Sequence, residues 1–209
     1  MLSSALEDTL RLFGKERFRP MQRELVECAL EGRSCIGILP TGSGKSLCYQ
    51  IPAVLGNGLT VVVSPLIALM RDQVAGLEKL GVAAARYDST LAEEDKASLM
   101  DRLKSGGVRL LFAAPESLES PWIQRAMELV PPGLFVVDEA HCLSEWGHSF
   151  RPDYLGLPVF FRKHGFRSVM ALTATATERV CRDLAGLFGV SDECIFRAAP
   201  YRANIFRQV

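Results

Sequence analysis

The sequence predicts an α/β domain built on a mainly parallel sheet with helices on both faces. Short β-branched runs alternate with helical stretches along most of its 209 residues. Several of these runs are apolar at consecutive positions, as in residues 60–63 (TVVV), which is typical of parallel strands covered on both faces. Strand–helix alternation also requires crossover connections, and these place successive strands parallel to one another.

Seven strands and the helices between them follow in chain order. The predicted strands are residues 35–39, 59–64, 83–87, 108–113, 134–137, 168–172 and 194–196. Clear helices are predicted at residues 46–54, 67–80 and 91–104, with an amphipathic helix near the N-terminus. Capping-box spacing at Ser4/Glu7 and at Thr90/Glu93 predicts where two helices begin. We expect an N-terminal helical segment over residues 1–24, one domain over 25–200 and the start of a linker over 201–209.

Composition excludes several classes of protein. Basic and acidic residues number 24 each, so the chain is not coated with positive charge and would hold nucleic acid only through a local patch. With 48% hydrophobic and 23% charged residues it is not a mostly disordered chain. No run of eighteen apolar residues and no signal-peptide pattern occurs, so we expect a cytoplasmic protein without a membrane span. The six cysteines form no CxxC pair, which predicts core thiols and no zinc site.

A glycine-rich turn lies between the first predicted strand and the helix after it. Its glycines let backbone N–H groups curl around an anion, and the helix N-terminus adds partial positive charge. The lysine can reach the β- and γ-phosphates of a nucleotide, and the serine hydroxyl after it can bind Mg²⁺. Leu39 stands where the usual pattern has its first glycine, so a plain turn with an incidental lysine is the alternative. The residues of this predicted phosphate loop are Thr41, Gly42, Ser43, Gly44, Lys45 and Ser46.

Two adjacent carboxylates follow the apolar run of residues 134–137. Asp138 at a strand end can hold Mg²⁺ directly or through water. Glu139 can position and deprotonate an attacking water. The two acids could instead cap the next turn. Their position downstream of a phosphate loop favours the catalytic interpretation.

Seven short segments together resemble the RecQ family of superfamily-two DNA helicases. The chain is similar to the first RecA-like lobe of that family over residues 13–206, in the family's order. The aromatic-rich stretch from 141 to 154 is the most specific segment. The segments are residues 18–22 (FRPMQ), 45–52 (KSLCYQIP), 63–73 (VSPLIALMRDQ), 114–116 (APE), 138–141 (DEAH), 141–154 (HCLSEWGHSFRPDY) and 171–176 (ALTATA).

For the nucleotide, the resemblance implies a RecA-like P-loop domain that binds ATP and Mg²⁺. Gln22 would read the adenine edge, with Arg19 packing beside the base. Lys45, Ser46, Asp138 and Glu139 would take the phosphate, metal and water roles described above, and His141 would join the catalytic set. Lys15 departs from the pattern, because many relatives place there an aromatic that packs on adenine.

For nucleic acid, the resemblance implies coupling of ATP hydrolysis to translocation on and unwinding of DNA in repair and recombination. The residues it assigns to DNA contact and coupling are Ser64, Trp146, Phe150, Arg151, Thr173 and Thr175. Asp88 departs from an asparagine common in relatives. Such a helicase acts on single strands and duplex junctions, and in a bacterium it would be associated with the nucleoid.

The family needs a second RecA-like lobe whose arginines complete the ATP site, and often a zinc-bearing region. We find neither in this sequence, which is therefore either truncated or naturally short, and we expect the isolated lobe to fold without unwinding DNA.

Structural roles for these residues and other functions for the chain remain as alternatives. Trp146 and Phe150 could be core aromatics, and Arg151 a surface ion-pair partner. The chain could also be a nucleotide-binding scaffold or another P-loop enzyme such as a small-molecule kinase, although it shows no arginine-rich acceptor lid.

Overall fold

A single sheet of seven parallel strands forms the centre of the domain. The computed structural model describes residues 2–146 and 150–198. The strand order is β3-β4-β2-β5-β6-β1-β7, and every strand pair is parallel. The strands are β1 (Cys35–Ile38), β2 (Leu59–Val63), β3 (Ala84–Tyr87), β4 (Leu110–Ala113), β5 (Pro132–Val137), β6 (Ser168–Thr173) and β7 (Ile195–Arg197). The predicted α/β class and all seven strands are confirmed, with strand ends shifted by no more than two residues.

Helices alternate with these strands and cover the sheet. Strands β1, β2, β4 and β6 are buried at every position, so both of their faces are covered. The helices are α1 (Leu2–Leu12), α2 (Gln22–Leu30), α3 (Lys45–Leu55), α4 (Ile67–Lys79), α5 (Glu93–Lys104), α6 (Pro121–Leu129), α7 (Leu157–His164) and α8 (Glu178–Phe188). Short 3-10 turns lie at Pro115–Ser117, Ala140–Leu143, Pro152–Tyr154 and Asp192–Cys194.

Both predicted capping boxes are wrong. Helix α1 begins at Leu2, so Ser4 lies inside it. Helix α5 begins after Ala92, which provides no side-chain cap. The backbone N–H of Thr90 instead donates to Oδ1 of the fully buried Asp88 at 2.9 Å, and the Thr90 hydroxyl donates to the same oxygen. A buried carboxylate needs hydrogen-bond donors, and Thr90 supplies two of them to Asp88 instead of capping α5.

The N-terminal helix packs beside the phosphate-loop helix. Leu6 and Leu10 of α1 form a small buried cluster with Val26 of α2 and with Leu47 and Ile51 of α3. This packing brings the segment that leads into residues 18–22 close to the start of α3.

The cysteines are buried free thiols, as the composition predicts. Cys28 of α2 and Cys194 are far apart in sequence, yet their Sγ atoms lie 3.6 Å apart. None of the described helices is both long enough and apolar enough to cross a membrane.

Candidate functional site

The predicted site residues lie at one edge of the sheet because all strands are parallel. The chain leaves β1 for the phosphate loop, β2 for Ser64, β5 for Asp138 and β6 beyond Thr173. Sheet hydrogen bonds continue up to this edge: Leu39 N donates to Thr173 O at 3.0 Å, and Asp138 N donates to Val63 O at 2.9 Å. Strand β6 separates β1 from β5, so Thr173 ends the strand between the phosphate loop and the paired acids.

The phosphate loop has the geometry of an anion cradle. Gly42 and Gly44 adopt positive φ angles of 76° and 85°, which favour glycine. Gly44 immediately precedes α3, and within the described residues no side chain caps this helix N-terminus. The buried hydroxyl of Ser43 makes no hydrogen bond to any described residue. Uncapped N–H groups and an unpaired buried hydroxyl are the donors that a phosphate would satisfy, so this loop fits a nucleotide.

Arg19 and Gln22 hold the phosphate loop from the side. One guanidinium nitrogen of Arg19 donates to Gly42 O at 2.5 Å. The Gln22 side chain is only 2% exposed, and its Nε2 donates to the carbonyls of Ser43 and Gly44, both at 3.0 Å. Its Oε1 accepts from the backbone N–H of Arg19 at 2.8 Å. In this structure, therefore, the Gln22 amide binds the loop backbone, and reading of an adenine edge stays a prediction.

This contact also explains why residue 44 is glycine. A Cβ at Gly44 would lie 2.8 Å from Gln22 Nε2, and the left-handed φ would strain any other L-residue. Met21, just before Gln22, is itself one of two non-glycine residues with positive φ in the described ranges. The backbone thus turns sharply to bring Gln22 against the loop.

A cleft of about 360 Å³ opens beside the phosphate loop. Its walls include the aromatic Phe13, the cationic side chains of Lys15, Arg17 and Arg19, and the amides Gln50 and Gln73. The size and lining suit the base and ribose of a nucleotide. Lys15 lies in this cleft, so the departure from the family's aromatic residue falls where it would meet the base.

The chain leaves β5 at Asp138 and Glu139, and Glu139 has a strained backbone conformation. Glu139 has φ 52°, the second positive value among the described non-glycine residues. Its backbone N–H donates to Asp138 Oδ1 at 3.0 Å. A left-handed glutamate is a costly conformation, and such conformations cluster at functional sites.

The electrostatics around Asp138 favour a cation. Burial, and next the charge of Glu139, raise the pKa of Asp138 to about 6, while Lys45 acts in the opposite direction. The Ser64 hydroxyl also favours the charged form, although its buried oxygen makes no well-formed hydrogen bond to any described residue. Ser46, Ser64 and Asp138 line one small cleft. A hydroxyl and a carboxylate around a small space are oxygen ligands of the kind Mg²⁺ prefers, so these residues fit that ion.

No group of three or more His, Cys, Asp or Glu side chains could enclose a metal ion within the described ranges.

His141 links the paired acids to the end of β6. Its Nδ1 lies 3.0 Å from Thr173 Oγ1 and 3.3 Å from Glu139 Oε2. The Thr173 hydroxyl donates to Thr175 O at 2.9 Å and accepts from Thr175 N–H at 3.3 Å. When the Thr173 hydroxyl donates to Thr175 O, Nδ1 of His141 carries the hydrogen that bonds Thr173 Oγ1. The structure thus brings the sequence-predicted residues Glu139, His141, Thr173 and Thr175 into one polar network.

The aromatic-rich stretch divides into an exposed and a semi-buried part. Trp146 is 58% exposed, so it is not a core residue. Phe150 is partly buried, and Arg151 is exposed while its backbone N–H donates to Cys142 O at 3.0 Å. Residues 147–149 of this predicted loop, and the predicted linker 201–209, lie outside the described residues.

Three contacts of this stretch were not predicted from the sequence. The hydroxyl of Tyr154, a fully buried residue, donates to Asp138 O at 3.1 Å. Arg179 and Asp183 of α8 contact Trp146 and Ser144. A tyrosine at the end of an aromatic-rich segment is a sequence signal that could have pointed to the first contact. The helix contacts depend on tertiary packing alone.

Asp88, the other departure from the family pattern, has a structural role here. Its carboxylate pairs with Arg86 and accepts the two Thr90 bonds. An ionised carboxylate is needed for that ion pair, which an asparagine could not form.

Sequence comparison identifies the family. The family model of DEAD/DEAH box helicases matches residues 19–184. The chain belongs to the DEAD/DEAH box helicase family. Within it, the chain is 42% identical over 206 residues to a probable ATP-dependent DNA helicase RecS of Bacillus subtilis, and 42% identical over 207 residues to ATP-dependent DNA helicase RecQ of the same organism. It is 35% identical over 212 residues to ATP-dependent DNA helicase Q1 of Mus musculus. The resemblance to RecQ proteins is thereby confirmed.

These alignments cover 98% of this DEAD/DEAH box chain but only 41%, 35% and 33% of the respective relatives. The chain therefore spans about two fifths or less of the length of these relatives.

Solved structures of helicases confirm the RecA-like fold. A hypothetical ATP-dependent RNA helicase from Sulfolobus tokodaii matches 93% of the chain and 57% of its own length, with a TM-score of 0.68. The DUF1998 helicase MrfA, solved with DNA and AMPPNP, matches 93% of the chain and 29% of its own length, with a TM-score of 0.67. Both are 18% identical in sequence, so they support the fold alone.

Proposed function

We propose that this chain is the ATP-binding motor lobe of an ATP-dependent DNA helicase, and that it hydrolyses ATP as part of translocation on DNA and unwinding. One observation carries the proposal. An uncapped helix N-terminus with its glycine cradle and the Asp138–Glu139 pair lie at one sheet edge, and Ser46 and Asp138 share a cleft there. Nucleotide hydrolysis requires a phosphate-binding loop next to oxygen ligands for Mg²⁺, here the Ser46 hydroxyl and the Asp138 carboxylate.

Within this proposal, the phosphate loop binds the triphosphate. Backbone N–H groups of residues 41–46 donate to phosphate oxygens, and the Lys45 ammonium offsets the charge of the β- and γ-phosphates. Gln22 and Arg19 hold the loop in shape through its carbonyls. The base enters the cleft lined by Phe13 and Lys15.

Ser46 and Asp138 would hold Mg²⁺, which when bound neutralises charge on the phosphates. Glu139 orients the attacking water and accepts its proton. His141, whose Nδ1 lies 3.0 Å from Thr173 Oγ1 and 3.3 Å from Glu139 Oε2, links the glutamate to the Thr173–Thr175 turn.

We assign DNA contact to residues near the same edge of the sheet as the phosphate loop and the paired acids. Trp146, Phe150 and Arg151 follow Glu139 by 7 to 12 residues. Ser64, the other residue predicted to contact DNA, is only 2% exposed beside Asp138 and does not present its side chain at the surface. An exposed tryptophan can stack on an unpaired base, which is worth about 1–3 kcal/mol per base. The relatives named as DNA helicases support DNA as the polymer.

A second lobe is part of the proposal. The relatives are more than twice as long as this chain, and closure of two lobes on the nucleotide would supply the arginines that complete the site. The lobe alone is therefore expected to bind nucleotide without unwinding duplexes. We further propose a cytoplasmic location, at the nucleoid in a bacterium, and a role in DNA repair and recombination, as the resemblance to RecQ helicases implies.

The decisive measurement is ATPase activity of the intact protein with Mg²⁺ and single-stranded DNA, RNA or no polymer. We expect hydrolysis that single-stranded DNA stimulates more than RNA does. Nucleotide binding without hydrolysis under any condition would favour the scaffold alternative. Transfer of the γ-phosphate to a small-molecule acceptor would favour a kinase.

A further inference from the structure

Helix α8 contacts the aromatic-rich stretch at two points one helical turn apart. The guanidinium carbon of Arg179 lies 3.3 Å from the centroid of the Trp146 ring. Four residues later, Asp183 Oδ2 accepts a hydrogen bond of 2.6 Å from the Ser144 hydroxyl. Residues at i and i+4 lie on one face of a helix, so this single face of α8 supports the beginning of the stretch.

The second contact extends to the backbone of the tryptophan. Ser144 Oγ donates to Asp183 and also accepts from the backbone N–H of Trp146 at 3.3 Å. The side chain and the main chain of Trp146 are thus both held, the first by Arg179 and the second through Ser144.

Trp146 stays largely exposed in spite of these contacts. A guanidinium covers one face of its ring, yet 58% of the side chain is accessible to solvent. Among the described residues, most of Trp146 outside the guanidinium contact is therefore open to solvent. A large aromatic that is supported on one face and open on the other has the geometry of a stacking platform.

The support itself is rigid. Helix α8 is capped by Thr177, whose hydroxyl accepts from Val180 N at 3.3 Å. Its other face is buried in the core through Val180, Cys181, Leu184 and Phe188. The helix can therefore hold Trp146 in one orientation before any ligand arrives, which reduces the ordering cost of binding.

We infer that Arg179 is a positioning residue that holds Trp146 as a preformed platform for an unpaired base of single-stranded DNA, with Asp183 fixing the start of the stretch. The inference rests on the proposed function, since it assumes that the chain binds DNA. The cation behind the ring and the base in front of it would form a three-layer stack of guanidinium, indole and base.

The test is binding of a fluorescently labelled oligothymidylate to the intact protein, followed by anisotropy. Arg179→Ala should weaken binding about three- to fivefold, as expected for loss of an exposed cation–π contact and of preorganisation. Arg179→Lys should restore part of the loss, because it keeps the cation. Arg182→Ala is the matched control, since Arg182 is an exposed arginine on the same helix, and it should leave the affinity unchanged.

A double-mutant cycle separates positioning from direct phosphate contact. In a Trp146→Ala background, Arg179→Ala should have no further effect, and the salt dependence of binding should keep its slope. If the Arg179 effect persists without Trp146 and the salt slope falls by about one charge, Arg179 binds phosphate and the inference is wrong.

Equal affinity of the wild type and Arg179→Ala would also overturn the inference. If the wild type itself neither binds single-stranded DNA nor shows DNA-stimulated ATPase, the proposed function fails, and that result differs from a selective loss in the variants.

Discussion

The hydroxyl of Tyr154 donates a hydrogen bond of 3.1 Å to the backbone carbonyl of Asp138. These residues stand at the two ends of the segment that contains His141 and the aromatic-rich stretch. The segment therefore returns to its own starting point, and the tyrosine closes it beneath the paired acids. The buried side chain of Tyr154 therefore connects the aromatic-rich stretch to the backbone of Asp138, the residue proposed to bind Mg²⁺.

Replacing this tyrosine tests the closure. Tyr154→Phe removes only the hydroxyl and leaves the Asp138 carbonyl without that partner in a fully buried position. We expect the free energy of unfolding to fall by about 1–2 kcal/mol in urea denaturation. Tyr87→Phe removes a hydroxyl from another buried tyrosine, which stacks on Trp122, and serves as the control. A Tyr154→Phe protein as stable as the wild type would show that the hydrogen bond contributes nothing.

Lys45 should be essential for nucleotide binding. Lys45→Ala removes the cation expected to offset phosphate charge, so we expect binding of Mg²⁺–ATP to become undetectable by calorimetry. Lys79→Ala, an exposed lysine at the end of α4, is the control and should bind as the wild type does. Unchanged affinity in Lys45→Ala would refute the phosphate-loop assignment.

Glu139 should act in hydrolysis and not in binding. In Glu139→Gln the amide cannot accept the proton of the attacking water, so ATP affinity should stay similar while turnover falls by about 10²-fold or more. Affinity by calorimetry and turnover by phosphate release in the intact protein separate the two effects. Turnover near that of the wild type would make Glu139 a structural residue held by His141.

Trp146 and Phe150 should be needed for the stimulation of ATPase activity by DNA. For Trp146→Ala and Phe150→Ala in the intact protein, we expect the ratio of DNA-stimulated to DNA-free ATPase to fall severalfold. DNA affinity should fall less, because phosphate contacts carry most of it. Thermal melting is the companion measurement. Since Phe150 is partly buried, a large loss of stability confined to Phe150→Ala would reassign that residue to the core.

The ionised Asp138 carboxylate should lower the free energy of unfolding when no metal is bound. Its pKa is raised to about 6, so between about pH 4 and 6 the folded state binds more protons than the unfolded state. Stability therefore falls as pH rises through this window and stays lower above it. In magnesium-free buffer at neutral pH, we expect Asp138→Asn to be more stable than the wild type by about 1–2 kcal/mol, after discounting for partial exposure.

The advantage of Asp138→Asn should disappear below pH 4, where the wild-type carboxyl is neutral as well. Denaturant midpoints across this pH range measure the difference. A destabilised Asp138→Asn protein at neutral pH would mean that the hydrogen bonds of the charged carboxylate outweigh its burial.

Much of the fold could be predicted because its signals are local. Runs such as Leu59–Val63, apolar at every position, identify strands buried on both faces, and their alternation with helices leads to a parallel sheet. Gly42, Gly44 and Lys45 indicate an anion site for the same reason, since their conformational freedom and charge belong to the residues themselves. The helix starts were predicted less well, because Thr90 bonds the buried Asp88 instead of capping α5.

By itself, then, the sequence determined the sheet, the edge at which the functional residues gather, and the family. Only the tertiary structure decided how distant side chains share their hydrogen bonds. It placed the Gln22 amide on the phosphate-loop carbonyls, His141 between Glu139 and Thr173, and Arg179 behind Trp146. Each of these contacts joins residues on different elements, so no local pattern specifies it. It forms because packing brings a buried donor within reach of an acceptor, or a cation against an aromatic ring, at a distance that spacing along the chain does not encode.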